Sequence, residues 1–305
     1  MNEQDKEYLS SLKFIETENY IDRKFYRPLG FKIANAIKHT GITPNTVTII
    51  SIFVGIAGAC MFYFTGNVGF TFLGILGMVC ANILDCVDGQ LARMTGIKSE
   101  IGRILDGIAG DLWFLTIYTA LALRIYDNIG SMWIFIIAGL SVASHFTQAA
   151  LTDYYKTLHL YFVSPEKGKE FDTPASVRSK LKTLPVGINK LFTILYLYYT
   201  TLQSKLTPNL GVMIQKIDEK YSANSIPQHI RLKYRQGSII VMKCLDLLTF
   251  NGRSIPLFII LITGHVWFYF LYEIVFLNII LIVSKNQHET LCRYISEEID
   301  KTQSN

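Results

Sequence analysis

Six long apolar segments, separated by polar turns and loops, dominate the pattern of this chain. Each is long enough to cross the apolar core of a bilayer as a helix, which requires about 20 residues. They lie approximately at residues 46–66, 69–92, 101–124, 132–155, 237–265 and 266–283. The pattern therefore predicts an all-α, polytopic membrane protein with about six transmembrane helices.

Two regions outside these segments are basic and partly amphipathic. Residues 20–41 combine cationic side chains with aromatic and aliphatic ones, which is typical of a helix lying on an anionic membrane surface. Nucleic-acid binding is the competing interpretation, but a position directly before a membrane span disfavours it, and we expect no nucleic-acid partner. Residues 157–236 are predicted to form a helical insertion that is cytoplasmic or lies on the membrane surface. Whether it covers a site, binds an acceptor or forms a dimer stays open.

The distribution of Lys and Arg predicts the topology. These residues gather near the N terminus, around Lys98 and Arg103, in residues 157–236 and in the tail, whereas the turn at 66–69 has none. The positive-inside rule then places both termini on the cytoplasmic side, and we expect a bacterial cytoplasmic membrane. The expected organisation is a lead-in with an interfacial helix (1–45), four spans (46–156), the insertion (157–236), two spans (237–285) and a polar cytoplasmic tail (286–305).

Composition agrees with a membrane protein. Half of the 305 residues are apolar and only 17% are charged, and the mean hydropathy is +0.30. These values exclude an ordinary soluble domain. The five cysteines show no CxxC pairing and are interpreted as small core residues without a disulfide framework.

The candidate chemistry lies between the second and third apolar segments, in DCVDGQLARMTGIKSEIGRILDGIAGD (85–111). The α-helical period places its first acidic, small and cationic residues on one stripe, formed by Asp85, Asp88, Gly89, Ala92 and Arg93. The next helix has a similar stripe, formed by Gly102, Asp106 and Gly110. Carboxylates on two helices that face a shared space suit Mg²⁺ or Mn²⁺ holding phosphates. The alternative is a pair of capped helix ends in a polar loop.

The spacing D-x2-D-G-x2-A-R-x8-G-x3-D resembles the signature of the CDP-alcohol phosphotransferase family. The resemblance implies that Asp85, Asp88 and Asp106 bind one or two Mg²⁺ or Mn²⁺ ions, with Asp106 also a catalytic residue. It implies in addition a nucleotide site at Asn45, Gly89, Ala92, Arg93 and Gly102. Asn45 follows Thr43 and Pro44 at the predicted start of the first span, where unpaired helix N–H groups suit phosphates.

One position departs from the family pattern. The further aspartate expected four residues after Asp106 is replaced by Gly110, and Asp111 follows it. Five residues of α-helix turn by about 140°, so Asp111 should point away from Asp106 unless a π-bulge brings it back. Asp111 is therefore a hypothetical fourth metal ligand and catalytic base.

The resemblance also implies the reaction. A phosphatidyl group would pass from a CDP-alcohol, in the usual branch CDP-diacylglycerol, to a small polar alcohol, and CMP would be released. Inositol, inositol phosphate and glycerol phosphate are the expected acceptors, and a homodimer is expected by analogy with the family. Two alternatives stay open. One is the transfer of a CDP-linked head group, such as choline or ethanolamine, to a lipid alcohol; the other is a non-catalytic scaffold or divalent-cation carrier.

Charged residues within the last apolar segments are candidates for acceptor binding. Arg253 and Lys243 either bind an anionic acceptor or pair with Asp246 or Glu273. We expect residues 237–265 to form one tilted span, bent near a glycine and a proline at positions 252 and 256. The single histidine of the fourth segment, His145, is expected to be a hydrogen-bonded packing residue.

Overall fold

The computed structural model describes residues 3–12, 15–64, 68–97, 99–164, 171–221 and 226–301 of the chain. Within these ranges the regular elements are helices, and there is no β-strand. The α-helices are α1 (Glu3–Ser11), α2 (Arg27–Ile37), α3 (Pro44–Met61), α4 (Val68–Thr95), α5 (Glu100–Ile129), α6 (Trp133–Val163), α7 (Pro174–Thr183), α8 (Ile188–Leu206), α9 (Pro208–Lys220), α10 (Gln228–Leu245), α11 (Phe250–Thr263), α12 (Trp267–Leu271) and α13 (Leu277–Lys301). π-Helical turns occur at Asp22–Tyr26 and Tyr272–Phe276, and 3-10 turns at Ile15–Thr17 and Asp246–Leu248.

Six stretches of the described chain are long and apolar enough to cross a membrane. They are Pro44–Met61, Val68–Thr95, Gly102–Ile129, Trp133–Val163, Gln228–Thr263 and Trp267–Lys301. The predicted all-α, six-span fold is confirmed. The second span, α4, has 28 residues, which at 1.5 Å each gives about 42 Å, whereas the apolar core of a bilayer is about 30 Å thick. Helix α4 is therefore longer than the core it would cross, and its last turns carry the first aspartates.

The fifth span is interrupted between α10 and α11. Helix α10 ends at Leu245, the 3-10 turn Asp246–Leu248 follows, and α11 begins at Phe250 after Thr249 in extended conformation. Pro256, near which a bend is expected, lies inside α11, and the bend itself stays a prediction. A proline is tolerated inside a membrane helix when neighbouring groups satisfy the freed backbone carbonyl.

The chain divides into two compact units, of which the first contains residues 1–146 and 249–278. Its core is aromatic and aliphatic, with Trp113, Phe114 and Tyr118 of α5 almost fully buried. Helices α3 and α4 approach closely where glycines face each other: a Cβ added to Gly77 would lie 2.8 Å from the Cα of Gly58. Small residues permit such close backbone packing, which favours association of helices within a membrane.

The second unit contains residues 147–248 and 279–305. Stacked rings form part of its interior, with the centroids of Phe162 and Tyr234 4.0 Å apart and those of Tyr155 and His288 also 4.0 Å apart. Residues assigned from the sequence to a polar tail continue α13 to Lys301 and bury one helix face, formed by Cys292, Ile295 and Ile299. The domain boundaries drawn from the sequence stay predictions.

Candidate active site

Three aspartates come together where α4 ends and α5 begins. One carboxylate oxygen from each of Asp85, Asp88 and Asp106 lies within 4.8 Å of the others. Asp88 is buried, Asp85 is half-buried and Asp106 is exposed, so the group opens toward one side. Asp85 and Asp88 share a face of α4 because they are three residues apart. Oxygen donors at this separation can share a divalent cation such as Mg²⁺ or Mn²⁺.

The first membrane helix fixes the central aspartate. Thr48 Oγ1 of α3 donates a hydrogen bond to Asp88 Oδ2 at 2.5 Å, and both side chains are buried. This bond, from a neutral hydroxyl, restricts the rotamer of Asp88. Sequence reasoning missed Thr48, although a hydroxyl residue four positions after Pro44 in an apolar span is a visible signal.

The beginnings of α3 and α5 meet through Asn45 and Ser99. The amide nitrogen of Asn45 donates to Ser99 Oγ at 3.0 Å, and Ser99 Oγ also lies 3.1 Å from Asn45 Oδ1. Ser99 caps α5 by accepting from the backbone N–H of Gly102 at 2.9 Å, as Thr43 caps α3. A Cβ at Gly102 would lie only 2.2 Å from Asn45 Oδ1. Two helix N-termini therefore lie together, and each is a favourable place for a phosphate.

The cationic end of the motif is held by the N-terminal helix. Arg93 Nε donates to the backbone carbonyl of Ser11 rather than to an aspartate, and its Nη2 is buried without a hydrogen-bond partner among the described residues. The guanidinium lies against Gly89, where a Cβ would be 3.3 Å from Nη2. Ala92 is half-buried on the same helix. Arg93 thus keeps an unused donor next to the glycine of the motif.

The segment before the first span packs on the motif helix. Gln90 Nε2 donates to Ser11 Oγ at 3.1 Å, and a Cβ at Gly30 of α2 would lie 2.6 Å from Gln90 Oε1. These contacts join α1 and α2 to α4. They were not predicted, because they depend on residues about 60 to 80 positions apart.

Arg27 brings a second cation toward the aspartates. It forms an ion pair with Glu18 at 2.8 Å, with both side chains largely buried. Burial lowers the pKa of Arg27, but the nearby Cys86, Glu18 and Asp85 outweigh this effect and raise the pKa above its ordinary value. Arg27 is therefore a permanent positive charge close enough to Asp85 to interact with it.

Asp111 lies on a different face of α5 from Asp106. Helix α5 is α-helical from Glu100 to Ile129, so the π-bulge considered from the sequence does not occur. Asp111 Oδ1 lies 3.0 Å from His145 Nε2 of α6, and the other ring nitrogen of His145 is 3.3 Å from the hydroxyl of Tyr118. His145 is buried and hydrogen-bonded, as expected, but its partner is the aspartate in question. The group of carboxylates that could share an ion does not include Asp111.

Three of the four charged candidates in the last spans form ion pairs. Arg253 and Glu273, both fully buried, form an ion pair, and Arg253 lies 5.7 Å from the ring centroid of Phe114. Asp246 lies 3.6 Å from Lys156 instead of pairing with either candidate, and Lys243 is exposed. Of the two interpretations of Arg253, pairing with Glu273 is the one the structure contains.

These features define a polytopic membrane protein with three clustered carboxylates that could hold a divalent cation, next to helix N-termini suited to phosphates. The chain belongs to the CDP-alcohol phosphatidyltransferase family, whose model matches residues 41–211, more than half of the chain. Members of this family are generally dependent on a divalent metal. The matched region contains the complete motif and both helix N-termini described above.

Part of the chain is similar to one curated relative. The chain is 35% identical over 92 residues to an archaetidylinositol phosphate synthase of Pyrococcus horikoshii. The match covers 30% of this chain and 47% of that protein, so the chain spans about half the length of the relative.

Proposed function

We propose that this protein transfers a phosphatidyl-type group from a CDP-linked lipid alcohol to the hydroxyl of a small polar acceptor and releases CMP. The observation that carries the proposal is the convergence of Asp85, Asp88 and Asp106 within 4.8 Å, in a chain of the CDP-alcohol phosphatidyltransferase family. The basic loops favour a site that faces the cytoplasm. A homodimer stays a prediction.

The three aspartates would hold one or two Mg²⁺ or Mn²⁺ ions. Their donors are all carboxylate oxygens, which suit these hard cations better than thiophilic metals. The buried position of Asp88 and its hydrogen bond from Thr48 would hold this metal ligand in place before the metal binds. When bound, the metal neutralises the diphosphate and stabilises the departing CMP.

The donor phosphates would lie at the beginnings of α3 and α5. Asn45 and Gly102 form this corner, and the absence of a side chain at Gly102 lets the two helices meet. Gly89 leaves space beside the diphosphate, and the buried, unpartnered Nη2 of Arg93 is a donor suited to a phosphate oxygen. Binding would thereby satisfy a donor for which the described part of the chain offers no partner.

Asp111 would accept the proton of the acceptor hydroxyl. The side chain is 23% exposed, so it is accessible, whereas His145 behind it is 5% exposed and holds its orientation. In the reaction, the acceptor oxygen forms a bond to the phosphorus that carries the lipid. The bond from that phosphorus to the oxygen of CMP breaks, and CMP leaves with the electron pair. In this role Asp111 would take the place of the family's fourth aspartate, whose position is occupied by Gly110 here.

The acceptor proposed first is inositol phosphate. The support is the similarity to the Pyrococcus horikoshii protein, an archaetidylinositol phosphate synthase. Inositol and glycerol phosphate are the next acceptors to test. The donor is CDP-diacylglycerol or its archaeal ether-linked counterpart.

The function can be tested with purified protein in detergent. CMP release is measured with each CDP-lipid and Mg²⁺ or Mn²⁺, across the panel of acceptors. We expect metal-dependent release with a single preferred acceptor, and its loss in Asp88→Asn. The matched control is Asp127→Asn, at the other end of α5. Release only from CDP-choline or CDP-ethanolamine with diacylglycerol would establish the reversed reaction instead, and no release from any donor would favour a scaffold.

A further inference from the structure

A second cluster of metal-binding side chains lies in the second unit. His288, Glu289 and Cys292 are all buried on α13, and one donor atom from each lies within 4.8 Å of the others. Unlike the aspartates of the active site, they offer one nitrogen, one oxygen and one sulfur. Neither the family match, which ends at residue 211, nor the proposed reaction accounts for them.

The spacing of the donors fits a tetrahedral metal ion. His288 Nδ1 lies 3.4 Å from Cys292 Sγ. In a tetrahedral zinc site, with Zn–N near 2.0–2.1 Å and Zn–S near 2.3 Å, these two ligand atoms are about 3.5 Å apart. The two residues are one helical turn apart on α13, so the helix itself sets this distance.

The surrounding hydrogen bonds already orient each ligand. The hydroxyl of Tyr234 lies 2.9 Å from Nε2 of His288, which leaves Nδ1 facing Cys292. The carboxylate of Glu289 accepts from the backbone N–H groups of Asn209 at 2.8 Å and Leu210 at 3.3 Å. Metal-binding histidines and carboxylates are typically held by such outer contacts.

A buried hydroxyl without a partner points to the same place. The ring of Tyr155 is fully buried and stacks on His288, and its hydroxyl has no hydrogen-bond partner among the described residues. That hydroxyl interacts electrostatically with Glu289 and Cys292. An unpaired buried hydroxyl is costly. It would gain a partner if this oxygen, or a water hydrogen-bonded to it, were the fourth ligand of a metal ion.

The charges of the cluster also favour a divalent ion. Glu289 is buried, and its carboxylate is held by backbone N–H groups, without an ion pair in the described part of the chain. A carboxylate and a thiolate together offset the two positive charges of Zn²⁺, so the filled site would be neutral. Neutral sites avoid the large cost of burying an uncompensated charge.

We propose that His288, Glu289 and Cys292 bind one Zn²⁺ ion that stabilises the second unit. Mixed nitrogen and sulfur donors select zinc over Mg²⁺, which prefers oxygen. The ion would connect α13 to the start of α9 through Glu289, and to α6 through Tyr155. Its role is structural, because all its ligands are buried and none is available to a substrate.

The test is the metal content of the full-length protein, purified in detergent with a tag that contains no histidine. Elemental analysis should find roughly one zinc per chain, as expected for a closed structural site. Cys292→Ser and His288→Ala should each remove most of it. Cys244→Ser, a half-buried cysteine of the same unit, and Asp88→Asn should retain it.

A second measurement keeps the proposal testable if those variants do not fold. Wild-type protein is stripped with a chelator and given Co²⁺, and the expected result is the absorption of a cobalt–thiolate bond together with recovery of thermal stability. Absence of zinc and of this absorption, in protein that remains folded, would show a hydrogen-bonded core cluster only. Zinc that persists in both Cys292→Ser and His288→Ala would exclude these residues as its ligands. Neither measurement depends on catalytic activity.

Discussion

Thr48 and Asp88 are joined by a hydrogen bond of 2.5 Å between two membrane helices, and both side chains are buried. In this bond the partner of the carboxylate is a neutral hydroxyl. A buried carboxylate held in one orientation is prepared to bind a metal ion, since it does not lose rotamer freedom when the ion arrives. The first span therefore contributes to a site whose acidic ligands all come from the next two.

Removal of that hydroxyl should weaken metal binding. We expect Thr48→Val to raise the Mn²⁺ concentration for half-maximal CMP release by about 10- to 100-fold, the usual effect of losing an outer-shell partner. Thr48→Ser keeps the hydroxyl and should behave like wild type. An unchanged metal dependence in Thr48→Val would mean that the bond does not orient the ligand.

A side chain at Gly102 should destabilise the corner between α3 and α5. Because its Cβ would lie 2.2 Å from Asn45 Oδ1, Gly102→Ala should cost about 1–3 kcal/mol, as overpacking does. Gly139→Ala is the control, since nothing lies within 4 Å of that position on α6.

The same corner can be tested by a double-mutant cycle. If the clash is the cause, Asn45→Ala combined with Gly102→Ala should recover most of the lost thermal stability, measured in detergent. Additive losses in the double variant would contradict the contact.

Asp111 and His145 should affect the chemical step and leave donor binding unchanged. We expect Asp111→Asn to lower kcat by about 10²- to 10⁴-fold, the range for loss of a general base, with KM for the CDP-lipid unchanged. His145→Gln should have a smaller effect, because it removes only the group that orients Asp111. The control is Asp127→Asn. Full activity of Asp111→Asn would remove Asp111 from the mechanism.

The buried pair of Arg253 and Glu273 should contribute to stability and not to acceptor recognition. Glu273→Gln leaves a buried guanidinium without its counter-charge and should destabilise the protein by about 3–5 kcal/mol. The double replacement Arg253→Met with Glu273→Leu removes both charges and should be much less harmful.

Kinetics of that double variant separate the two roles. If the pair is structural, the folded variant keeps the wild-type KM for inositol phosphate and glycerol phosphate. A large rise in KM for these phosphorylated acceptors, with stability recovered, would assign Arg253 to the acceptor site after all.

The fold was predictable because a membrane imposes strong constraints on a sequence. A spanning segment must satisfy its backbone polar groups internally, so six long apolar runs already imply six helices. Stop signals inside a span are weaker: the break lies at Asp246–Leu248, where no proline occurs, whereas Pro256 lies inside the continuous helix α11. Neighbouring helices decide whether a proline bends its helix, and their contacts cannot be read from local sequence.

From the sequence, the site was predictable only within a single helix, where the helical period determines which residues share a face. The spacing of Asp85 and Asp88 placed both on one face, and the structure brings Asp106 to them. By contrast, Ser11, Gly30, Thr48 and His145 contact motif residues from distant positions of the chain. Such contacts depend on how the helices pack, and no local pattern reports them. Asp111 combines both situations. The helical period predicted that it points away from Asp106, but only the fold shows that its partner is His145.

The glycine contact between α3 and α4 has a consequence for how the protein is made. Gly58 and Gly77 let α3 and α4 associate as a pair, and these two spans are consecutive in the chain. Thr48 can therefore meet Asp88 during insertion, once α4 has left the ribosome and while later parts of the chain are still being synthesised. Addition of α5 then supplies Asp106 and Ser99. All three carboxylates are thus encoded in three consecutive spans, and a nascent chain stalled far enough beyond Ile129 for α5 to clear the ribosomal exit tunnel should already bind Mn²⁺.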